Sequence, residues 1–88
     1  MNWQINYSRD AEVFIKKEDL RTDVRNELIK FLKKMKGDKI NIDVKRLRGD
    51  WQGFYRIRMG KLRIIFDVDY KSKSIFIDKI DFRGNVYK

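Results

Sequence analysis

The sequence predicts an α+β fold in which an N-terminal strand and two helices precede a three-stranded antiparallel meander. We expect a twisted antiparallel sheet with the helices packed on one face. Three observations support this prediction. Trp3, Ile5 and Tyr7 alternate with polar residues, as in a strand with one buried face. The next 30 residues carry apolar side chains at three- and four-residue steps, as in helices. After residue 52, apolar side chains recur at every second position, as in strands.

Two helices are predicted between residues 8 and 36. Ser8 can cap the first, which is expected to end near Lys17. The second is expected from about Asp19 to Lys36, because one apolar stripe runs along that segment, and Gly37 suits the position just after a helix. Residues 40–49 are basic, and we expect them to be irregular.

The meander is predicted from strands at about 53–59, 62–68 and 74–81. A two-residue turn at Gly60-Lys61 fits the first pair, since a type II′ turn has glycine at its first central position. This turn would place Arg58 directly across from Arg63 and Arg56 across from Ile65. The neighbouring apolar side chains would form the core, so the three arginines would share the opposite face.

Composition favours one small soluble domain spanning residues 1–88. The chain has no cysteine and no histidine, which leaves neither disulfides nor the usual zinc ligands, and we expect no metal ion and no cofactor. No apolar run approaches the roughly 20 residues of a membrane span, and the N-terminus lacks the apolar core of a signal peptide. We therefore expect a cytoplasmic protein that does not associate with membranes.

The positive charge is concentrated in one short segment. The whole chain has 22 Lys and Arg against 13 Asp and Glu, a net charge of +9. Residues 45–66 contain a single acid, Asp50, and seven basic residues: Lys45, Arg46, Arg48, Arg56, Arg58, Lys61 and Arg63. Such clustering favours a polyanionic partner, of which nucleic acid is the commonest, although a solvated basic surface has the same composition.

The predicted pairing of Arg58 with Arg63 is unfavourable for folding alone, because like charges directly across two strands repel each other. Converging guanidinium groups suit a phosphate, to which they offer fixed forks of donors. The alternative is that Asp67, expected on the same face, neutralises the pair. One carboxylate pairs poorly with three guanidinium groups, so we favour an anion site.

The segment LRGDWQGFYRIRMGKLRIIFDVD, together with FRGNVY near the C-terminus, resembles the RelE/ParE toxin superfamily of toxin–antitoxin systems. The shared pattern is a leucine-basic-glycine lead-in, a tyrosine-basic-isoleucine-basic strand, a glycine turn and an arginine-led strand. An arginine-containing segment ending in valine-tyrosine closes it. The resemblance implies the RelE-like microbial RNase fold.

The resemblance to the RelE-like branch implies an endoribonuclease that cuts messenger RNA in the ribosomal decoding site. The residues that match its catalytic set are Arg56, Arg58, Arg63, Arg83 and Tyr87, with Lys45, Arg46, Arg48 and Lys61 as further RNA-binding residues. The implied partners are messenger RNA in the ribosomal A site, ribosomal RNA and an acidic RelB-like antitoxin. Two alternatives remain, a ParE-like poison of DNA gyrase and an RNA-binding module without catalysis.

RNA cleavage of this kind needs no protein nucleophile, because the 2′-OH attacks the adjacent phosphorus. The protein has to align that attack, neutralise the phosphorane and protonate the leaving 5′-oxygen. Arginines suit the second task, and Tyr87 can stack on a base. The sequence does not identify the general base that takes the proton of the 2′-OH, since arginine is a poor base and the matching family positions often hold lysine. Asp67, Asp81, ribosomal groups and solvent are the candidates.

Overall fold

The computed structural model describes residues 2–82. In chain order its elements are β1 (Gln4–Tyr7), α1 (Arg9–Glu18), α2 (Arg21–Met35), β2 (Asp43–Arg46), a short 3₁₀ helix (Gly49–Trp51), β3 (Tyr55–Met59), β4 (Leu62–Asp69) and β5 (Ser74–Phe82). The α+β class is confirmed, and both helices and the three meander strands begin and end within two residues of their predicted limits. No helix within residues 2–82 is long and apolar enough to cross a membrane.

The five strands form one sheet in the order β1-β5-β4-β3-β2. The meander strands pair antiparallel as predicted, but β1 runs parallel to β5, so the expectation of an entirely antiparallel sheet is wrong at this edge. Parallel neighbours need a long connection, and here that connection includes both helices and three strands. The alternating pattern that predicts β1 says nothing about the direction of its partner.

Strand β2 corrects the prediction that residues 40–49 are irregular. Asp43–Arg46 pairs antiparallel with β3 and forms the second edge of the sheet. Val44 of β2 is opposite Ile57 and packs against the core, whereas the exposed side chains of this strand are charged. Charged side chains are common on edge strands, where they discourage pairing with other chains. Their abundance concealed the short alternation around Ile42 and Val44.

Ser8 connects the start of α1 to an irregularity in the sheet. Its hydroxyl accepts a hydrogen bond from the backbone N–H of Ala11 at 3.2 Å, which confirms the predicted helix cap. The same hydroxyl donates to the carbonyl of Asp78 at 2.7 Å. Asp78 lies where the β4–β5 register shifts, between the pairs Ile65–Lys79 and Phe66–Ile77. One side chain therefore satisfies polar groups of both the helix terminus and the bulge.

Both helices pack on the same face of the sheet. The core combines Ala11, Ile15, Val24, Leu28, Phe31 and Leu32 of the helices with Ile57, Ile64, Phe66, Ile75, Ile77 and Ile80 of β3, β4 and β5. Phe31 is central to it, since its ring makes edge contacts with both Tyr55 and Phe66. We call the other side of the sheet the open face, because no helix within residues 2–82 covers it.

Candidate nucleic-acid interface

The hairpin of β3 and β4 has the predicted register. Met59 is opposite Leu62, Arg58 is opposite Arg63, and Arg56 is opposite Ile65. Gly60 at the turn has a φ of 60°, a conformation that glycine adopts without the penalty other residues incur. The turn chemistry thus fixes which side chains meet across the two strands.

The three arginines of this hairpin lie on the open face. Ile57 and Ile64 are fully buried in the core beneath the helices, and side chains alternate between faces along a strand. Arg56, Arg58 and Arg63 therefore project to the other side. Ile65 shares that face and is itself fully buried, so this part of the open face is closely packed rather than loosely solvated.

Arg56 is held by an acid on the neighbouring strand. One of its terminal nitrogens donates to Oδ1 of Asp43 at 2.9 Å, and its side chain is only 9% exposed. The Asp43 side chain is 52% exposed, so water reaches the ion pair from one side. The Nε of Arg56 is buried and makes no hydrogen bond within the described part of the chain. This geometry suits a residue that positions its neighbours.

Arg58 is more accessible and interacts with the same acid. Its Nε lies 4.0 Å from Oδ2 of Asp43, and its side chain is 37% exposed. Asp43 therefore faces two guanidinium groups at once. The sequence points to Asp67 as the acid that could neutralise the arginines, whereas in the structure this acid is Asp43. Asp43 was missed because residues 40–49 were expected to be irregular and not to form a strand. The period-two pattern around Asp43, with Ile42 and Val44 on either side, was the signal that could have identified it.

Arg63 is partly exposed, and the strands on its two sides place one basic and one acidic residue opposite it. Arg58 is opposite it on β3, and Asp81 is opposite it on β5. The Oδ1 of Asp81 accepts the backbone N–H of Phe82 at 2.7 Å. Asp43 therefore offsets part of the repulsion that the register creates between Arg58 and Arg63. The face still presents two partly exposed arginine side chains across one strand pair, and the Nε of each is buried.

The other predicted RNA-binding residues are exposed but do not form one surface. Lys45 alternates with Asp43 onto the open face, and Lys61 lies at the hairpin turn. Arg46 lies on the helix side, where its guanidinium carbon is 5.7 Å from the centre of the Tyr55 ring. Arg48 is exposed next to it along the chain. Structure thus divides this basic segment between the two faces of the sheet.

A tyrosine beside Arg46 has an altered acidity. Tyr70 is 54% exposed, yet partial desolvation of its hydroxyl, together with a weaker effect of a hydrogen bond with Tyr55, raises its pKa, while the charge of Arg46 acts in the opposite direction. The Tyr70 ring also makes an edge contact with Trp3. The phenol therefore remains protonated near neutral pH and packs on the helix side of the sheet, away from the arginines of the open face.

Two predicted catalytic residues, Arg83 and Tyr87, lie outside the described residues. Within residues 2–82, no group of three or more acidic side chains is arranged to hold a metal ion. What the described part of the site offers is positive charge at defined positions: the register places Arg58 opposite Arg63, and Asp43, which is held by Arg56, lies beside Arg58. Such an arrangement can bind phosphate and stabilise negative charge that develops on it.

Comparison with known sequences identifies one informative relative. No protein-family model matches the chain. The inferred toxin RelE1 of Methanocaldococcus jannaschii is 40% identical over 62 residues, which make up 70% of this chain and 68% of that protein.

Comparison with solved structures shows that the fold is shared with several toxins. The YoeB dimer from Staphylococcus aureus has a TM-score of 0.70 at 19% identity, covering 94% of this chain and 99% of that one. The archaeal RelE–RelB complex from Pyrococcus horikoshii OT3 has a TM-score of 0.56 at 25% identity, covering 98% and 100%. The toxin–antitoxin complex RelBE2 from Mycobacterium tuberculosis has a TM-score of 0.60 at 18% identity, covering 94% and 100%.

Proposed function

The chain belongs to the RelE-like toxin superfamily, the toxins of toxin–antitoxin systems, and we propose that it is a ribosome-dependent endoribonuclease that cleaves messenger RNA and inhibits translation. The observation that carries the proposal is the pair formed by Arg58 and Arg63. Both are partly exposed, both project onto the open face, and the hairpin register places them directly across from each other.

The proposed reaction is attack by a 2′-OH on the adjacent phosphorus. The phosphorus gains a bond to the 2′-oxygen, whose proton passes to solvent or to a ribosomal group. It loses its bond to the 5′-oxygen, which takes up a proton, so the products are a 2′,3′-cyclic phosphate and a 5′-hydroxyl. Negative charge accumulates on the non-bridging oxygens in between. Arg58 and Arg63 hold donors fixed on that face, and fixed donors stabilise such charge without reorganising during the reaction. The reaction requires no metal ion.

Arg56 and Asp43 are proposed to act through Arg58. Arg56 is too deeply buried to contact much of a substrate, but it fixes Asp43, which in turn faces Arg58. Arg83 and Tyr87 enter through the resemblance alone, and we propose that Arg83 protonates the leaving oxygen and that Tyr87 stacks on a base. Lys45 and Lys61 extend the positive surface beyond the arginines, where they would contact phosphates of the messenger or of ribosomal RNA.

We also propose that the toxin is cytoplasmic and is neutralised by an acidic RelB-like antitoxin. Two of the similar solved structures, RelE–RelB and RelBE2, are complexes of this type. A net charge of +9 favours a partner of opposite sign, and a segment that folds as it binds can wrap a large surface. Covering Arg58 and Arg63 would exclude RNA from the site.

Inducible expression followed by mapping of messenger-RNA 5′ ends tests the proposal. We expect new ends inside translated reading frames and arrested growth, and we expect Arg63→Ala to lose both effects. Arg25→Ala is the matched control, because it removes the same charge from an exposed position on α2.

The alternatives predict different results. Growth arrest with damaged DNA and intact messengers would indicate a gyrase poison. Arrest without new 5′ ends or DNA damage would indicate an RNA-binding module that does not cleave. Either result would refute the nuclease proposal.

A further inference from the structure

An exposed phenylalanine lies on the charged side of the sheet. Phe76 of β5 falls between Ile75 and Ile77, which are both fully buried in the core beneath the helices. Alternation along the strand therefore directs Phe76 onto the open face, where it is 38% exposed. The core does not use this ring, and leaving so much aromatic surface in water forgoes the stabilisation that its burial would give.

Two polar side chains flank Phe76 across the sheet. Asp67 of β4 is its register partner on one side, and Asn6 of β1 is its partner on the other. Side chains opposite each other on adjacent strands have Cβ atoms about 4.5–5.5 Å apart. An amide both donates and accepts hydrogen bonds, whereas a carboxylate only accepts them. The ring thus has a hydrogen-bonding group on each side.

This trio lies within reach of the same RNA strand as the arginines. Asp67 is four residues beyond Arg63 on β4, which corresponds to about 13 Å along the strand. Both residues project onto the open face. This separation allows a single-stranded nucleic acid whose phosphate is held by Arg58 and Arg63 to place a nearby nucleotide over Phe76.

We propose that Phe76, with Asn6 and Asp67 beside it, forms a subsite that binds one unpaired base of the RNA. The base stacks on the Phe76 ring, as bases do on exposed aromatics of sheet surfaces in other single-strand binders. Asn6 and Asp67 hydrogen-bond to the base edge and bias which base is accepted. The proposal rests on the proposed RNA substrate, but it concerns binding away from the cleaved bond.

The test measures equilibrium binding of six-nucleotide homopolymeric RNAs to the purified protein without ribosomes. Phe76→Ala and Phe76→Leu should weaken binding of all four homopolymers by about 5- to 150-fold, the range that stacking of one base produces, whereas Phe76→Trp should bind as well as the wild type. Tyr70→Ala is the control, since Tyr70 is an exposed aromatic on the helix side. It should leave binding unchanged.

Two further readouts separate stacking from damage to the fold. Phe76 has no charge, so Phe76→Leu should leave the slope of log K against log salt unchanged. Asp67→Asn should change the ranking of the four homopolymers without an equal loss for all, because edge contacts rather than stacking distinguish bases. If Phe76→Ala fails to fold, the Leu and Trp variants carry the test.

Wild-type affinity in Phe76→Leu, or a flattened salt slope in that variant, would overturn the subsite. Its failure would leave messenger-RNA cleavage untouched, since cleavage is measured separately on ribosomes. Conversely, a loss of binding in Phe76→Leu with no cleavage by the wild type would support the subsite while refuting the nuclease proposal.

Discussion

Removing Asp43 should destabilise the protein, because Asp43 compensates a buried guanidinium group. Asp43→Asn keeps the shape of the side chain but takes away the charge that faces Arg56 at 2.9 Å and Arg58 at 4.0 Å. Breaking a fully buried ion pair costs about 3–5 kcal/mol. Asp43 is half exposed, so solvent screening reduces the expected loss in the free energy of unfolding to about 1–3 kcal/mol.

A double-mutant cycle with Arg56→Met isolates this interaction. Urea denaturation of the wild type, both single variants and the double variant gives the coupling free energy between the two side chains. Asp38→Asn is the control, since it removes one negative charge from an exposed position outside the sheet. If Asp43→Asn lowers the free energy of unfolding no more than Asp38→Asn does, and the coupling free energy is near zero, then Asp43 does not stabilise the arginine face.

Three further predictions concern charge, acidity and the C-terminal segment. Arg58→Ala should flatten the slope of log K against log salt for single-stranded RNA by about 0.7, the value for one phosphate contact, while Arg25→Ala should leave it unchanged. Hydrogen bonds from the backbone and the hydroxyl of Ser72 hold the pKa of Asp69 below its ordinary value of about 3.9. Because the lowered pKa belongs to the folded state, the ionised Asp69 stabilises the fold fully above about pH 4, and this stabilisation disappears as the pH falls through the pKa of the folded state. The free energy of unfolding of Asp69→Asn, measured by denaturation between about pH 5 and 2, should therefore fall less steeply with acid than that of the wild type. Tyr87→Phe should retain more growth inhibition than Tyr87→Ala, since stacking needs the ring, and equal loss in both would assign the role to the hydroxyl.

The sequence predicted the helices and the central hairpin because their signals are local. A glycine at the first turn position fixes the register, and that register alone determines that Arg58 meets Arg63. The apolar stripes of α1 and α2 likewise require only their own residues. These parts of the fold, and the face that carries the arginines, follow from short-range patterns.

The missed features depend on contacts between distant parts of the chain. β2 is a four-residue edge strand whose charged residues resemble a loop, and its pairing with β3 brings Asp43 to the arginines. The parallel pairing of β1 with β5 places Asn6 beside Phe76, across 70 residues of sequence. Neither contact can be recognised from a local sequence pattern, so the positions of Asp43 beside the arginines and of Asn6 beside Phe76 are known only from the structure.

Cleavage on programmed ribosomes tests the nuclease proposal most directly. Purified toxin is added to ribosomes that hold a defined codon in the A site, and single-turnover cleavage is followed together with the chemistry of the new ends. We predict one cut in the A-site codon that leaves a 2′,3′-cyclic phosphate and a 5′-hydroxyl, absent when ribosomes are omitted. Arg63→Ala should be slower by about 10²–10³-fold, the cost of losing one preorganised charge-stabilising group, and Arg25→Ala should match the wild type. An uncut messenger with the wild-type protein, or equal rates for Arg63→Ala and the wild type, would contradict the account.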